Sequence, residues 1–296
     1  MADAVSVVIP NLHSPVINRV LAALHDQSWY PAAFEVIVVG LDRYGLVTED
    51  ASVRFLRTDG PASPAQARNL GWRAAKHDAV VFLDADCVPR PDWLHSLTFF
   101  ADQMENVGAV SCGIDCESRS FWTICDQVAA FHEHSLLNPP EERRNLPSYG
   151  LYVPKIVLQQ TEGFDEAFRF PAGEDLDLTS RIKLLGYKLY FNPKAVVIHF
   201  PTRGTARDLW RHAHRSGYES IKVRLRYRNL YHMPSWSDSV WAWRLLALPI
   251  AWTKTAQILL RPDMLRYVRC APAVFLAKVG WCLGAADSLS EGYTRD

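Results

Sequence analysis

Short, uninterrupted apolar runs alternate with amphipathic stretches over the first hundred residues. Val5-Ser6-Val7-Val8-Ile9, closed by Pro10, is β-branched and brief, which predicts a strand buried on both faces. Val16, Ile17, Val20, Leu21 and Leu24 recur at helical spacing within Val16–Gln27. Phe34–Val39 and Val53–Leu56 predict two more strands, Pro64–Lys76 an amphipathic helix, and Ala79–Leu83 a further strand. Pro91 suits the first turn of a helix over Asp92–Met104. This β-α-β-α order predicts an α/β fold with a mostly parallel, doubly wound sheet. Ligands of such sheets bind outside the carboxyl ends of the strands, the edge that receives Asp84 and Asp86.

Beyond residue 100 the pattern is more broken. Val107–Ile114 reads as a strand, and Asn138–Pro147, with three prolines and a run of charges, as a loop. Leu176–Leu185 is helical in pattern and stopped by Gly186. Tyr187–Phe191 and Ala195–Phe200 read as two short strands, the second holding His199. After Pro201 the character changes. The expected division is an α/β domain over 1–200 and a helical extension over 201–296.

Charge sharpens that division. The formal net charge is zero, yet residues 1–198 hold 17 Lys/Arg against 25 Asp/Glu, and residues 199–296 hold 15 against 7. An acidic front and a basic back argue for different partners, since a basic field attracts phosphates or anionic lipid. No nucleic-acid-binding motif accompanies the basic part, so nucleic acid is not an expected partner. The run Val5–Ile9 is too short for a secretory core and ends in Pro10, so no signal peptide is expected. Six cysteines lack zinc-ribbon or disulfide-scaffold spacing and read as reduced thiols of a cytoplasmic protein.

Candidate chemistry centres on acidic residues. Asp84-Ala85-Asp86 follows an uncharged strand, and two carboxylates at close range repel unless a cation joins them. A hard divalent ion shared with substrate phosphates is the usual solution, although acidic pairs are also common on surfaces. Glu174-Asp175 follows Pro171-Ala172-Gly173 and opens a helix, where acids also serve simply as N-terminal caps. His199, at the end of an apolar strand, is by itself of a kind more often hydrogen-bonded and structural than a ligand.

Taken in order, Val5–Pro10, Ala67-Arg68-Asn69-Leu70-Gly71, Asp84-Ala85-Asp86, Gly163-Phe164-Asp165-Glu166, Gly173-Glu174-Asp175-Leu176-Asp177-Leu178, Arg181, Gly186-Tyr187 and His199 resemble glycosyltransferase family 2. The resemblance covers residues 5 to about 200. It implies the GT-A fold, a nucleotide-diphosphate-sugar donor, a divalent metal (Mn²⁺ or Mg²⁺) and inversion at the transferred sugar. Under it, Asp86 holds the metal, His199 is an additional metal or diphosphate ligand, Asp84 contacts the ribose or donor sugar, and Pro10 and Arg68 lie in nucleotide-contacting segments. Asp175 is placed like the base, with Glu174 beside it. The family commonly carries acids after the second strand to recognise the nucleobase. Here Gly40-Leu41-Asp42 stands there, so either Asp42 serves from a shifted position or the loop reads the base through backbone groups, and uridine diphosphate stands only as the default donor nucleotide. A catalytically silent nucleotide-sugar-binding protein is the rival reading. A nucleotidyltransferase would need a Gly-rich basic loop after the first strand, which Asn11-Leu12-His13-Ser14 is not.

The basic back half has its own pattern. Arg203, Arg207, Arg211 and Arg215 recur every four residues, and as one helical stripe would cost roughly 0.6–1.5 kcal/mol in like-charge repulsion. A donor diphosphate or membrane phosphates would offset that cost, and a solvated face is the alternative. Lys222–Arg228 alternates basic and apolar residues and fits either a strand or a helix. Six of ten tryptophans lie from Trp210 onward. Val240–Leu260 contains Arg244, Pro249 and Lys254, and Ala271–Ala286 is short and holds Lys278, so neither reads as a transmembrane span. Tryptophans with interspersed cations suit helices lying in a bilayer interface, which predicts peripheral attachment to the inner membrane face. A lipid-linked (polyprenyl) or glycan acceptor would fit that location, and a soluble helical subdomain is the alternative.

Overall fold

A computed structural model of the protein describes residues 4–28, 33–118, 120–168 and 170–292. In chain order its strands and helices are β1 (Ala4–Leu12), α1 (Ile17–His25), β2 (Ala33–Leu41), β3 (Val53–Arg57), α2 (Pro64–Ala74), β4 (Ala79–Leu83), β5 (Cys87–Pro89), α3 (Trp93–Gln103) and β6 (Val107–Asp115). Then follow α4 (Phe121–Phe131), β7 (Glu141–Glu142), β8 (Gly150–Pro154), α5 (Lys155–Thr161), α6 (Glu174–Leu184) and β9 (Lys188–His199). The last helices are α7 (Ala206–Arg226), the short α8 (Arg228–Tyr231), α9 (Val240–Leu259) and α10 (Ala271–Ser290). The chain folds as two compact units, Met1–Asp115 with His134–Phe200, and Cys116–Glu133 with Pro201–Asp296.

The first unit is built on one sheet ordered β3-β2-β1-β4-β8-β6-β9-β5, with β7 added beside β9. β1, β2, β3 and β4 run parallel, as their buried apolar runs predict, and β4 is buried along its whole length. On the other side the sheet is mixed. β8 runs antiparallel between β4 and β6, and β5 and β7 run antiparallel to β9. Parallel neighbours need long crossovers that sequence periodicity shows; β8 and β5 are inserted without a helix preceding each, so the periodicity could not reveal them.

Several local expectations change. The two predicted strands after Gly186 form the single strand β9, with a shift in its register to β6 between Asn192 and Val196. Pro193 falls at that irregularity, where a missing N–H does no harm. The loop Asn138–Pro147 contains β7. α6 begins at Glu174, two residues before the apolar pattern starts, because its first turn is acidic.

The second unit is helical and recruits α4, which lies far from it in sequence. α4 packs with α7, α9 and α10 through Cys125, Val128, Leu209, Ile258 and Val274. α7 and α10 approach backbone to backbone at Gly217 and Gly284, where a Cβ would overlap a carbonyl of the facing helix. Lys222–Arg226 continues α7 and is helical. Thr205 caps α7 in a reciprocal pair with Asp208. Arg203 therefore precedes the helix and instead donates to Asp126 at 2.8 Å, so the expected four-arginine stripe contains three.

Leu265–Ser290 is, among the described residues, a helical stretch long and apolar enough to cross a membrane by length and composition. It exceeds the span expected from sequence because the turn Leu265–Cys270 leads directly into α10. Within the unit, Lys278 of α10 donates to the Ala129 carbonyl at 2.8 Å, and burial lowers its ammonium to about 8.

Candidate active site

Asp84 leaves the carboxyl end of β4, where its N–H bonds the Tyr149 carbonyl next to β8. A tight turn, with the Cys87 N–H on the Asp84 carbonyl, carries the chain through Asp86 into β5. β5 then pairs with the end of β9, setting Cys87 directly opposite His199. That pairing brings His199 Nε2 to 3.6 Å from Asp86 Oδ2. The ligand atoms of Asp86, Cys87 and His199 all lie within 4.8 Å of one another. Burial, together with the negative charges of Asp86 and Asp84, pushes the Cys87 thiol well above its ordinary pKa. Asp86 and His199 offer a carboxylate and an imidazole, with the Cys87 sulfur beside them. A carboxylate with an imidazole suits Mn²⁺ better than Mg²⁺, so this donor set fits a divalent cation. Sequence spacing passed over Cys87, although its position directly after Asp86 was the available signal.

Arg68 is the centre of the second cluster. α2 starts with Ser63 in a capping box with Gln66 and Pro64 at its first position. Arg68, 3% exposed, donates from one terminal nitrogen to Asp84 Oδ1 at 2.7 Å and from the other to Glu174 Oε1 at 3.0 Å. One guanidinium thus joins the end of β4 to the start of α6. Its neighbour Asn69 accepts from the Phe164 N–H at 2.9 Å and donates to the Phe164 carbonyl and to Glu166 Oε1, both at 2.8 Å. The Gly163–Glu166 motif is thereby pinned to α2, with Phe164 edge-on to Phe82 and 5.4 Å from the Arg68 guanidinium.

Glu174 and Asp175 occupy the first turn of α6, after Gly173 in a left-handed conformation (φ 91°). Asp175 Oδ1 accepts the Leu176 N–H at 2.7 Å within the first turn, while Gly173 holds the N-cap position and α6 has no side-chain cap hydrogen bond. Glu174 is not used as a cap. Its side chain turns to Arg68, and Oε2 is buried without a hydrogen-bond partner among the described residues. Both carboxyls titrate above the ordinary range. For Glu174 the causes are burial, then the charge of Asp175, opposed by Arg68. For Asp175 the cause is burial, opposed first by Arg68, with Asp84 adding a smaller upward push. Asp177 is paired with Arg181 at 2.8 Å one turn on and is structural.

The raised Glu174 carboxyl has a measurable consequence. A group whose folded pKa exceeds its unfolded value favours folding at low pH, and this contribution is lost as pH rises through the folded pKa. Stability is therefore expected to fall between the ordinary carboxylate range and the raised Glu174 value. Glu174→Gln should flatten that slope in urea titrations across the window, and an unchanged slope would assign it to other groups.

Pro10 pairs with Val39 across β1 and β2 and is partly buried. Asp42 accepts the N–H groups of Tyr44 and Val47 at 3.1 and 2.7 Å, so it organises its own loop. Gly40 adopts φ 130°, and a Cβ there would overlap the Asn11 carbonyl, which explains why no acid stands at that position. Arg211 and Arg215 belong to the second unit, where with Trp210 and His214 they line a cavity of about 310 Å³.

The profile of the family described as glycosyltransferase-like family 2 matches residues 2–218 of the 296. The chain belongs to this family. It is 30% identical over 141 residues to the pre-mycofactocin glycosyltransferase of Mycobacterium tuberculosis, covering 46% of this chain and 30% of that protein. It is 24% identical over 247 residues to the glycosyltransferase AglE of Haloferax volcanii, covering 78% of this chain and 79% of that one. The chain spans about a third of the length of the first curated relatives it matches. Among solved structures, the mannosyltransferase PcManGT of Pyrobaculum calidifontis, in complex with GDP-Man and Mn²⁺, aligns with TM-score 0.61 at 19% identity. That alignment covers 97% of this chain and 87% of PcManGT. The likeness establishes the fold that the family resemblance implied, a GT-A sheet, here followed by helices.

Proposed function

We propose that this chain is an inverting, metal-dependent glycosyltransferase moving a sugar from a nucleotide-diphosphate donor to a hydroxyl of a glycan or lipid-linked acceptor. The observation that carries the reading is the Arg68 bridge between Asp84 and Glu174. It ties the start of α6, and with it Asp175, to the strand end that leads into the Asp86–His199 pair. The complexed ligands of PcManGT, GDP-Man and Mn²⁺, support the same donor class and cation for this chain.

In this reading Asp175 accepts the acceptor proton as the oxygen attacks the anomeric carbon. The new C–O bond forms as the bond to the diphosphate breaks, and that electron pair leaves on the phosphate oxygen. A carboxyl titrating above its ordinary range is better matched to this work than a strongly acidic one. Glu174 keeps Arg68 in place and positions the turn. Asp86 and His199 would hold the cation, which supplies charge compensation for the leaving diphosphate. Asp84 and Pro10 would line the donor site. With Gly40 unable to carry an acid and Asp42 engaged locally, recognition of the base falls to backbone groups of the β2 loop. The extension over 201–296 is read as attaching the enzyme to the inner face of the membrane, with Arg211 and Arg215 facing phosphate groups of donor or lipid.

Screening nucleotide sugars for Mn²⁺-dependent rises in melting temperature tests the donor site, because a ligand that binds the folded state stabilises it by mass action. At a hundredfold excess over Kd the expected stabilisation is about 2.7 kcal/mol. Asp86→Ala should abolish the metal-dependent part. Stabilisation that survives this change, or that ignores Mn²⁺, would remove the metal assignment. Release of free nucleotide in the presence of acceptor separates the transferase from a silent binder.

A further inference from the structure

α9 is apolar on more than one side. Its buried side combines the small residues Ala247, Ala251 and Thr255 with Trp243, Ile258 and Leu259. Four large apolar side chains face outward: Trp241 is 68% exposed, Leu245 76%, Leu248 60% and Trp252 71%. Their spacing of four, three and four residues places them on one narrow stripe about 16 Å long, at 1.5 Å per residue. Together they present roughly 600 Å² of apolar surface, taking up to about 250 Å² for each aromatic side chain. That is at the upper limit of what a typical monomer leaves in contact with water. Leu260, Leu265 and Val268 extend the exposed apolar surface beyond the helix.

The charges around the stripe select its partner. Residues 240–270 contain Arg244, Lys254, Arg261, Arg266 and Arg269 against the single acid Asp263, which is paired with Arg261. Arg244 stands 5.8 Å from the Trp241 ring and also reaches Asp287 at 3.3 Å. A tryptophan at each end of an apolar stripe, with cations and no acid on the helix, matches a surface that is half hydrocarbon and half anionic headgroup. A second copy of the chain fits less well. A stable dimer buries about 800 Å² per partner, more than the stripe offers, and like cations would meet across it.

We infer that α9 lies parallel to an anionic bilayer with Trp241, Leu245, Leu248 and Trp252 inserted below the headgroups. The inference rests on the reading of 201–296 as a membrane attachment and narrows it to one face. It also separates α9 from the apolar stretch Leu265–Ser290. α9 lies in the interface, and Lys278 of α10 stays inside the protein.

The test uses the full chain and sucrose-loaded vesicles, without sugar donor. The protein should sediment with mixed phosphatidylglycerol–phosphatidylcholine vesicles and far less with phosphatidylcholine alone. W241S/W252S should weaken that partitioning at least tenfold, and Leu245→Glu, a change at a solvent-exposed site, should do the same with an unaltered circular dichroism spectrum. Phe99→Ser, at an exposed site on α3, serves as the control and should bind as the parent does. Parent and stripe variants that partition alike overturn the inference, as does a parent that stays in the supernatant. Light scattering that finds a parent dimer dissolved by the same variants, with no vesicle binding, assigns the stripe to a second copy. None of these outcomes bears on sugar transfer, so failure here leaves the transferase reading in place.

Discussion

Replacing Asp175 by Asn is expected to lower sugar transfer by about 10²–10⁴-fold, the usual contribution of a general base, while donor affinity stays close to that of the parent. The change is nearly isosteric, and the amide oxygen can still accept the Leu176 N–H that Asp175 Oδ1 accepts at 2.7 Å. The first turn of α6 should survive for that reason. Only the capacity to take a proton is lost. The asymmetry between turnover and binding distinguishes this outcome from damage to the donor site. Calorimetry of donor binding and initial-rate measurements on the same preparation read both quantities, and turnover at the parental level would exclude Asp175 as the base.

The largest stability effect is expected at Arg68. Arg68→Met keeps the volume and removes the charge that Asp84 and Glu174 share. Leaving a buried charge uncompensated typically costs about 3–5 kcal/mol. The cost should depend on pH, and its sign follows from the direction of the shifts. Arg68 lowers the Glu174 and Asp175 carboxyls, so its removal lets both rise further above their unfolded values. Folded-state protonation then relieves the repulsion at low pH, and the penalty grows as pH rises through the raised pKa values. Urea unfolding at pH 5 and pH 8 should show the smaller loss at pH 5. A loss that is equal at both would point to packing around Phe164 and not to charge. The double variant R68M/E174Q should lose less than the sum of its parts, because one substitution removes the charge that the other exposes.

These effects centre on contacts that only partly announce themselves in the chain. Arg68, Asp84 and Glu174 were recognisable as members of an ordered series of motifs. That one guanidinium joins the other two depends on α2 packing over β1 and β2, and on contact across the 106 residues of sequence between Arg68 and Glu174. Glu174 and Asp175 both suited N-terminal capping in sequence, yet Gly173 holds the N-cap position and Glu174 turns to Arg68. Cys87 stands next to Asp86 in sequence but gave no sign of His199, because its place opposite His199 follows from an antiparallel pairing between a three-residue strand and the end of a much longer one. Short strands carry too few residues to show a period. Asp42 was a reasonable substitute for the missing acids, and its engagement with Tyr44 and Val47 is a loop property that spacing does not express.

By itself the sequence determined the parallel half of the sheet, since strands buried on both faces read as apolar runs: β4 throughout, and Val7–Ile9 and Val36–Val39 at the centres of β1 and β2. It also determined the carboxyl-end position of Asp84 and the helical, basic character of much of the extension. Tertiary structure alone decided the mixed half of the sheet, the recruitment of α4 into the helical unit and the outward direction of the α9 tryptophans. The reason is common to all three. Periodicity records which side of an element is apolar, whereas what covers that side is decided by distant residues. On α9 the apolar residues go nearly all round, and only packing against α10 reveals which of them are left for another surface.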